Sequence, residues 1–247
     1  DSATWEVHGD ASMLVGGIRA LLLQTLHPPT MAGVADHSQY RSDPLGRLRR
    51  TAAFVGATTF GDIDEAERAI ALVRHIHDRI QGTAPDGTPY RANDPHLLAW
   101  VHITEVDSFL EAKLRYGAGR LGQPGHRNAR ADEYVREMAV VASRLGVTDP
   151  PTSVHELHLA LDRDRPELGL NRQSREALRF LAAPPLPIVM RAPYAVLLAG
   201  AVSSLPKWAR RTMRLPRLPV TEAFAVRPAA LTLTRLVGWS LEPATAP

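Results

Sequence analysis

The chain has 247 residues, no cysteine and a formal charge of only +3, from 29 lysines and arginines against 26 aspartates and glutamates. Without thiols there are no disulfides, no haem attached through Cys-x-x-Cys-His, no thiolate-ligated haem, no iron–sulfur cluster and no cysteine nucleophile, so a bound metal has to use histidine, carboxylate or another nitrogen or oxygen donor. With 45% hydrophobic and 22% charged residues the composition is that of a globular protein able to bury a substantial core, and its basic balance is too weak to imply a nucleic-acid partner.

Trp5 and His8 lie in a lead that reads as irregular up to Asp10. From Ser12 to His27 apolar residues occur on nearly every side, which predicts a buried helix ended by Pro28 and Pro29. Thr30 to Ser42 reads as a short helix or turn carrying Asp36 and His37. Asp43 followed by Pro44 is a cap with proline at the first helical position, opening a helix to about Val55 on which Arg47 and Thr51 stand one turn apart.

The best-punctuated helix comes next. Asp62 with Glu65 reads as a capping box, Gly82 as a left-handed stop, and Ile63, Ala66, Ile70, Val73, Ile76 and Ile80 form an apolar stripe. His77 lies on that stripe, whereas Arg74 and His75 lie further round. A buried imidazole needs a partner, because an unpaired polar group there costs roughly 1–3 kcal/mol; protein, water and metal all qualify.

Gly82 to Asn93 reads as a loop, and Asp94 with Pro95 launches a long helix whose buried stripe of Leu98, Val101, His102, Val106 and Phe109 turns a second histidine inward, with Glu105 one turn later. A glycine-rich loop through Gly117, Gly122, Pro124 and Gly125 leads to a helix from Asp132 to Leu145, and Ser153 with Glu156 gives a further capping box. Asn171 to Ala182, an apolar helix to about Leu205 and a basic helix from Pro206 to Met213 follow, then short helical pieces between prolines. No run alternates with period two. The expected fold is all-α, one domain over residues 1–247 with a helical core and additional C-terminal helices. Arg41 to Arg50 and Lys207 to Arg217 are basic clusters, read either as solvated faces or as anion or lipid-surface sites. No signal peptide or confident membrane span is visible, so the default expectation is a cytoplasmic protein without stable membrane insertion.

The common catalytic motifs are missing: there is no phosphate-binding loop, dinucleotide fingerprint, Gly-x-Ser-x-Gly elbow or His-Glu-x-x-His. Of the metal readings, a di-iron bundle needs two Glu-x-x-His motifs, and this chain offers only His102-Ile-Thr-Glu105 in reverse. A zinc site on His75 and His77 fails because side chains two apart on a helix diverge. A single inward histidine suits either a haem iron or a satisfied place in the core.

Several strings carry a resemblance. Leu26-His27-Pro28, Gly33-Val34-Ala35-Asp36-His37-Ser38, Asp43-Pro44-Leu45-Gly46-Arg47-Leu48-Arg49-Arg50-Thr51, Val73-Arg74-x-x-His77, Tyr90-Arg91-Ala92-x-Asp94-Pro95 and Leu98-x-Trp100-Val101-His102 together resemble the MpaB-type oxygenase family, which includes the latex-clearing rubber oxygenases. The resemblance implies a globin-like α-helical core holding b-type haem non-covalently, with His77 as the proximal iron ligand and Arg47 and Thr51 in the haem pocket. Arg74 and His102 fall within the matching strings and join the expected cofactor-binding set. Where the rubber oxygenases can place a distal lysine this chain has Arg50, a poor iron ligand suited to a haem propionate. Their upstream catalytic glutamate has no counterpart, since no glutamate occurs between Val7 and Glu65; His27, Asp36 and His37 are the ionisable groups available there as catalytic candidates. The expectation is a haem-dependent oxygenase or oxidase acting on a lipophilic or aromatic small molecule with dioxygen or peroxide. A haem carrier or gas sensor is the alternative, and a metal-free helical binding protein a third.

Overall fold

The computed structural model describes residues 2–119, 121 and 127–241, so the loop read at Gly122, Pro124 and Gly125 lies outside the described residues. The fold is all-α apart from one small hairpin. Its centre is α6 (Pro95–Tyr116), a helix of 22 residues capped by the Asp94 carboxylate on the His96 amide at 2.8 Å. At 1.5 Å per residue it spans roughly 33 Å, and two core regions form along it.

On one side α2 (Met13–Gln24) packs along α6, with α10 (Ile188–Ser204) and α13 (Arg227–Leu241) beyond it. Val15, Leu22, Leu23, Leu26, Tyr116, Ala201 and Leu205 fill that interface. Gly16 sets its closeness: a Cβ there would stand 2.7 Å from Phe109 and 3.1 Å from the Ser108 carbonyl, so no larger residue fits. The apolar helix expected from Ser12 to His27 is therefore present and buried on most of its surface, with one exception in kind. Arg19, 2% exposed, reaches Asp107 at 2.7 Å, Ser108 Oγ at 2.7 Å and the Ser204 carbonyl at 3.2 Å.

On the other side lie α1 (Ala3–His8), α7 (Arg127–Leu145) and α8 (Val154–Asp164), joined to α6 through Val7, Trp100, Ile103, Val106, Leu110, Tyr134, Leu157 and Leu161. The lead expected to be irregular is thus a helix. Ser2 caps it, and Glu137 of α7 accepts hydrogen bonds from Ser2 Oγ and the Thr4 amide, both at 2.7 Å. Its stability comes from a tertiary partner that local sequence does not reveal.

Further corrections concern the middle of the chain. The helix begun by Asp43, α4 (Pro44–Phe60), runs five residues past the expected end at Val55. The capping box of Asp62 and Glu65 is formed, but α5 (Ile63–His77) stops at His77, and Gly82 lies in a hairpin of β1 (Gln81–Thr83) and β2 (Pro89–Arg91) rather than at a helix end. Gly87, at φ +89°, makes the hairpin turn instead. The stripe of α5 is also less buried than its spacing suggests: only Ile70 is fully covered and Ile63 is 80% exposed, because α5 is an outer helix resting on α4 and α7. α3 (Pro28–His37) packs on the β hairpin and on α9 (Arg172–Ala182); α11 (Lys207–Thr212) and α12 (Pro219–Thr221) complete the C-terminal part. No described helix is long and apolar enough to cross a membrane.

Candidate active site

α4 and α5 form a helical hairpin turned at Gly61 and Asp62. Counting 1.5 Å per residue along each arm, Arg47 lies roughly 21 Å and His77 roughly 24 Å from Gly61. Both lie toward the open end of their own arm, and Thr51 lies one turn nearer Gly61 than Arg47 does. The hairpin meets the rest of the protein mainly through α1 and α7, and His102 and Glu105 stand on α6.

Arg47 is half-buried and its guanidinium donates to the Ser38 hydroxyl; among the described residues no carboxylate pairs with it. Burial lowers its pKa against the pull of Tyr40, with Arg50 adding to the lowering. It nevertheless remains a cation, so a charge is held in a partly dry place without a counter-ion. His77 is also half-buried. Its Nδ1 is sealed from solvent with no hydrogen-bond partner, and burial lowers its pKa although Asp78 acts the other way. The imidazole is neutral at pH 7 and has a nitrogen lone pair to give.

The α6 groups share this character. His102 is buried, with Nε2 unpartnered, and burial alone lowers its pKa to about 4. Glu105 receives no hydrogen bond from the described residues, and burial raises its carboxyl to about 7. Beside it, burial and the charges of Glu105 and Glu137 hold the Tyr134 phenol well above its usual value. Tyr134 Oη lies 3.1 Å from His8 Nε2, whose Nδ1 is 2.8 Å from Thr59 Oγ1 near the end of α4. Burial lowers His8 to about 4. A chain of polar groups thus runs from the hairpin through α1 and α7 to the side of Glu105, inside an otherwise apolar core.

Other expected site residues lie elsewhere. Thr51 and Arg50 are exposed on α4, and Arg50 faces Asp43 at 3.4 Å. Arg74 is exposed and donates to the Arg144 carbonyl at 3.1 Å, so it ties α5 to α7. Asp36 accepts from the Tyr90 hydroxyl at 2.7 Å, and His37 lies exposed with its ring edge-on to Tyr90, so both belong to the packing of α3 on the β hairpin. His27 is buried at the cap of α3, beside Trp100, His96 and Glu167. The three catalytic candidates therefore do not converge: Asp36 and His37 meet at Tyr90, and His27 joins a different group. An open groove of about 630 Å³, lined by Ala53, Gly56, Phe60 and Arg68 among others, lies at the closed end of the hairpin and contains none of the expected residues.

Sequence spacing did not single out the raised carboxyl of Glu105 or its companions His8 and Tyr134. Glu105 was visible as one turn after His102, but its environment is set by α1 and α7, which are remote in sequence.

Neither the curated proteins nor the solved structures provided a match to this chain. A family model described as ER-bound oxygenase mpaB/B'/Rubber oxygenase, catalytic domain, matches residues 5–239, nearly the whole chain. The chain therefore belongs to this family of oxygenase catalytic domains, oxidoreductases that act on a small molecule with oxygen.

Proposed function

We propose that the chain is a b-type haem oxygenase or oxidase of a lipophilic or aromatic small molecule, with His77 as proximal iron ligand. The observation that carries this reading is that the two arms of the α4–α5 hairpin hold a histidine with an unpartnered buried nitrogen and a half-buried arginine that meets no carboxylate among the described residues. The donor set fits haem in both respects: the imidazole supplies a nitrogen for iron, and the guanidinium supplies the counter-charge for a propionate. Haem iron, when bound, supplies the redox centre that activates oxygen.

The chain's own residues then have separable tasks. His77 is kept neutral, the state a ligand requires. Arg47 would hold a propionate of the cofactor, whereas Arg50 and Thr51, exposed on α4, stand outside this set. The apolar surroundings of His102 exclude water. Glu105, its carboxyl raised by burial to about 7, is suited to take or give a proton at a carboxylate oxygen. On this reading the proton-moving carboxyl is on α6, downstream of His77, and the environment of Glu105 supports that role.

Haem titrated into the apo-protein is expected to bind one equivalent per chain. Arg47→Ala should weaken binding roughly 10-fold while leaving the shape of the Soret band unchanged, since a charge-assisted hydrogen bond is worth about 1.5–3 kcal/mol and part of it is recovered by solvent. Equal affinity in the two proteins would remove Arg47 from the site.

A further inference from the structure

Three elements that share no sequence motif bring His27, His96 and Glu167 together. His27 caps α3, His96 lies in the first turn of α6, and Glu167 ends the 3-10 turn that follows α8. One ligand atom from each lies within 4.8 Å of the others, and Glu167 Oε2 is 2.7 Å from His96 Nε2 and 3.7 Å from His27 Nε2. We propose that these three side chains form a site for a divalent first-row transition ion, separate from the region of His77 and independent of the haem reading.

The donor chemistry is suitable. Two imidazoles and one carboxylate are a common three-ligand set for zinc or iron(II), and they leave coordination positions open. His27 is built to hold its direction. It is 1% exposed, its ring stacks on Trp100 at 5.7 Å, and Nδ1 is 2.9 Å from Thr30 Oγ1. Nδ1 accepts from the Thr30 amide at 3.4 Å as the cap of α3; binding an ion through Nε2 moves the ring proton to Nδ1, which gives up that long cap bond and donates to the nearer Thr30 hydroxyl, the arrangement by which an outer partner fixes a metal-binding histidine. The Gly169 amide donates to the Leu26 carbonyl at 2.8 Å, which pins the Glu167 turn against the His27 backbone.

The local charge also favours a cation. Asp164, 1% exposed, lies near enough to act on His27 and has one carboxylate oxygen, Oδ2, buried with no hydrogen-bond partner; its other oxygen meets Arg163 Nε at 2.9 Å. His96 and Glu167 are the more exposed members, so they can adjust by roughly 1–2 Å around an ion while His27 stays fixed.

The test is equilibrium dialysis of the chelator-treated full-length chain against zinc, with metal measured per chain. Wild type and His77→Ala are expected to retain one zinc each. Glu167→Ala and His96→Ala, both at exposed positions that the fold tolerates, should each weaken retention by about 10-fold or more, and Thr30→Val should weaken it less. Failure of wild type to retain stoichiometric zinc, or either ligand variant binding as wild type does, would overturn the proposal.

Discussion

Glu105→Gln should stabilise the apo-protein at pH 8 by about 3 kcal/mol and change it little at pH 4. The folded protein raises this carboxyl from 4.5 to about 7. Below pH 4.5 both states are protonated and the group's contribution is fully present. As pH rises from 4.5 to 7 the unfolded chain ionises while the folded chain resists, so stability is lost until the folded carboxyl also titrates. Glutamine has nearly the same shape and no proton to lose, so it escapes that loss. A gain of this size corresponds to roughly 6–12 °C in melting temperature for a chain of this length. His8 and His102 act in the opposite sense: their pKa values fall from 6.5 to about 4, so they favour folding above pH 6.5 and withdraw that support as pH drops through 4. The wild-type profile is a partial cancellation, and the glutamine variant should show the histidine slope more fully. Thermal melts of both proteins at pH 4 and pH 8 decide the matter. Equal differences at the two values would mean that Glu105 is not held in a dry environment. A stabilising loss of a carboxylate is the behaviour of a group retained for chemistry at some expense to the fold.

Arg19→Ala should have the largest effect in the other direction, destabilising by roughly 3–5 kcal/mol. Arg19 and Asp107 are both buried, 2.7 Å apart, where α2 crosses α6. Removing the guanidinium strands the Asp107 carboxylate, which has the exposed His158 ring at 3.7 Å as its remaining neighbour of this kind, and deprives Ser108 Oγ and the Ser204 carbonyl of a donor. Replacing both members with apolar residues, Arg19→Met with Asp107→Leu, should recover most of the loss, because the penalty arises from the unpaired charge. Urea titration reads both changes. A cost below about 1 kcal/mol for the single variant would show that water reaches the pair.

Much of the helical frame was legible because its signals are local. Asp43-Pro44, Asp62 with Glu65 and Asp94-Pro95 announce helix starts through cap chemistry that the neighbouring residues alone determine, and each cap is formed. The encircling apolar residues of α2 likewise required a buried position. Helix ends and partners were less legible. Gly82 looked like a helix stop, yet the notional Cβ at that position meets the Tyr90 ring, a contact made across the β hairpin. Helix α1 is held by Glu137, 133 residues from Thr4. The stripe on α5 has the helical period but lies less deep than its spacing suggests, because nothing in the local pattern says that a helix will lie on the outside.

The candidate site divides in the same way. His77 and His102 lie on apolar faces, and spacing reveals that. Glu105 acquires its raised pKa from distant helices, and the grouping of His27 with His96 and Glu167 arises only when the ends of three elements meet.

The central claim is that His77 carries a haem iron. Its most direct test is the absorption spectrum, with haem and iron quantified, of wild type and His77→Ala expressed with haem precursor. The expected result is one haem per chain and a Soret band in wild type, loss of both in His77→Ala, and partial return of the band when imidazole is added to the variant. Colourless wild-type protein, or an unchanged Soret band in His77→Ala, would contradict it.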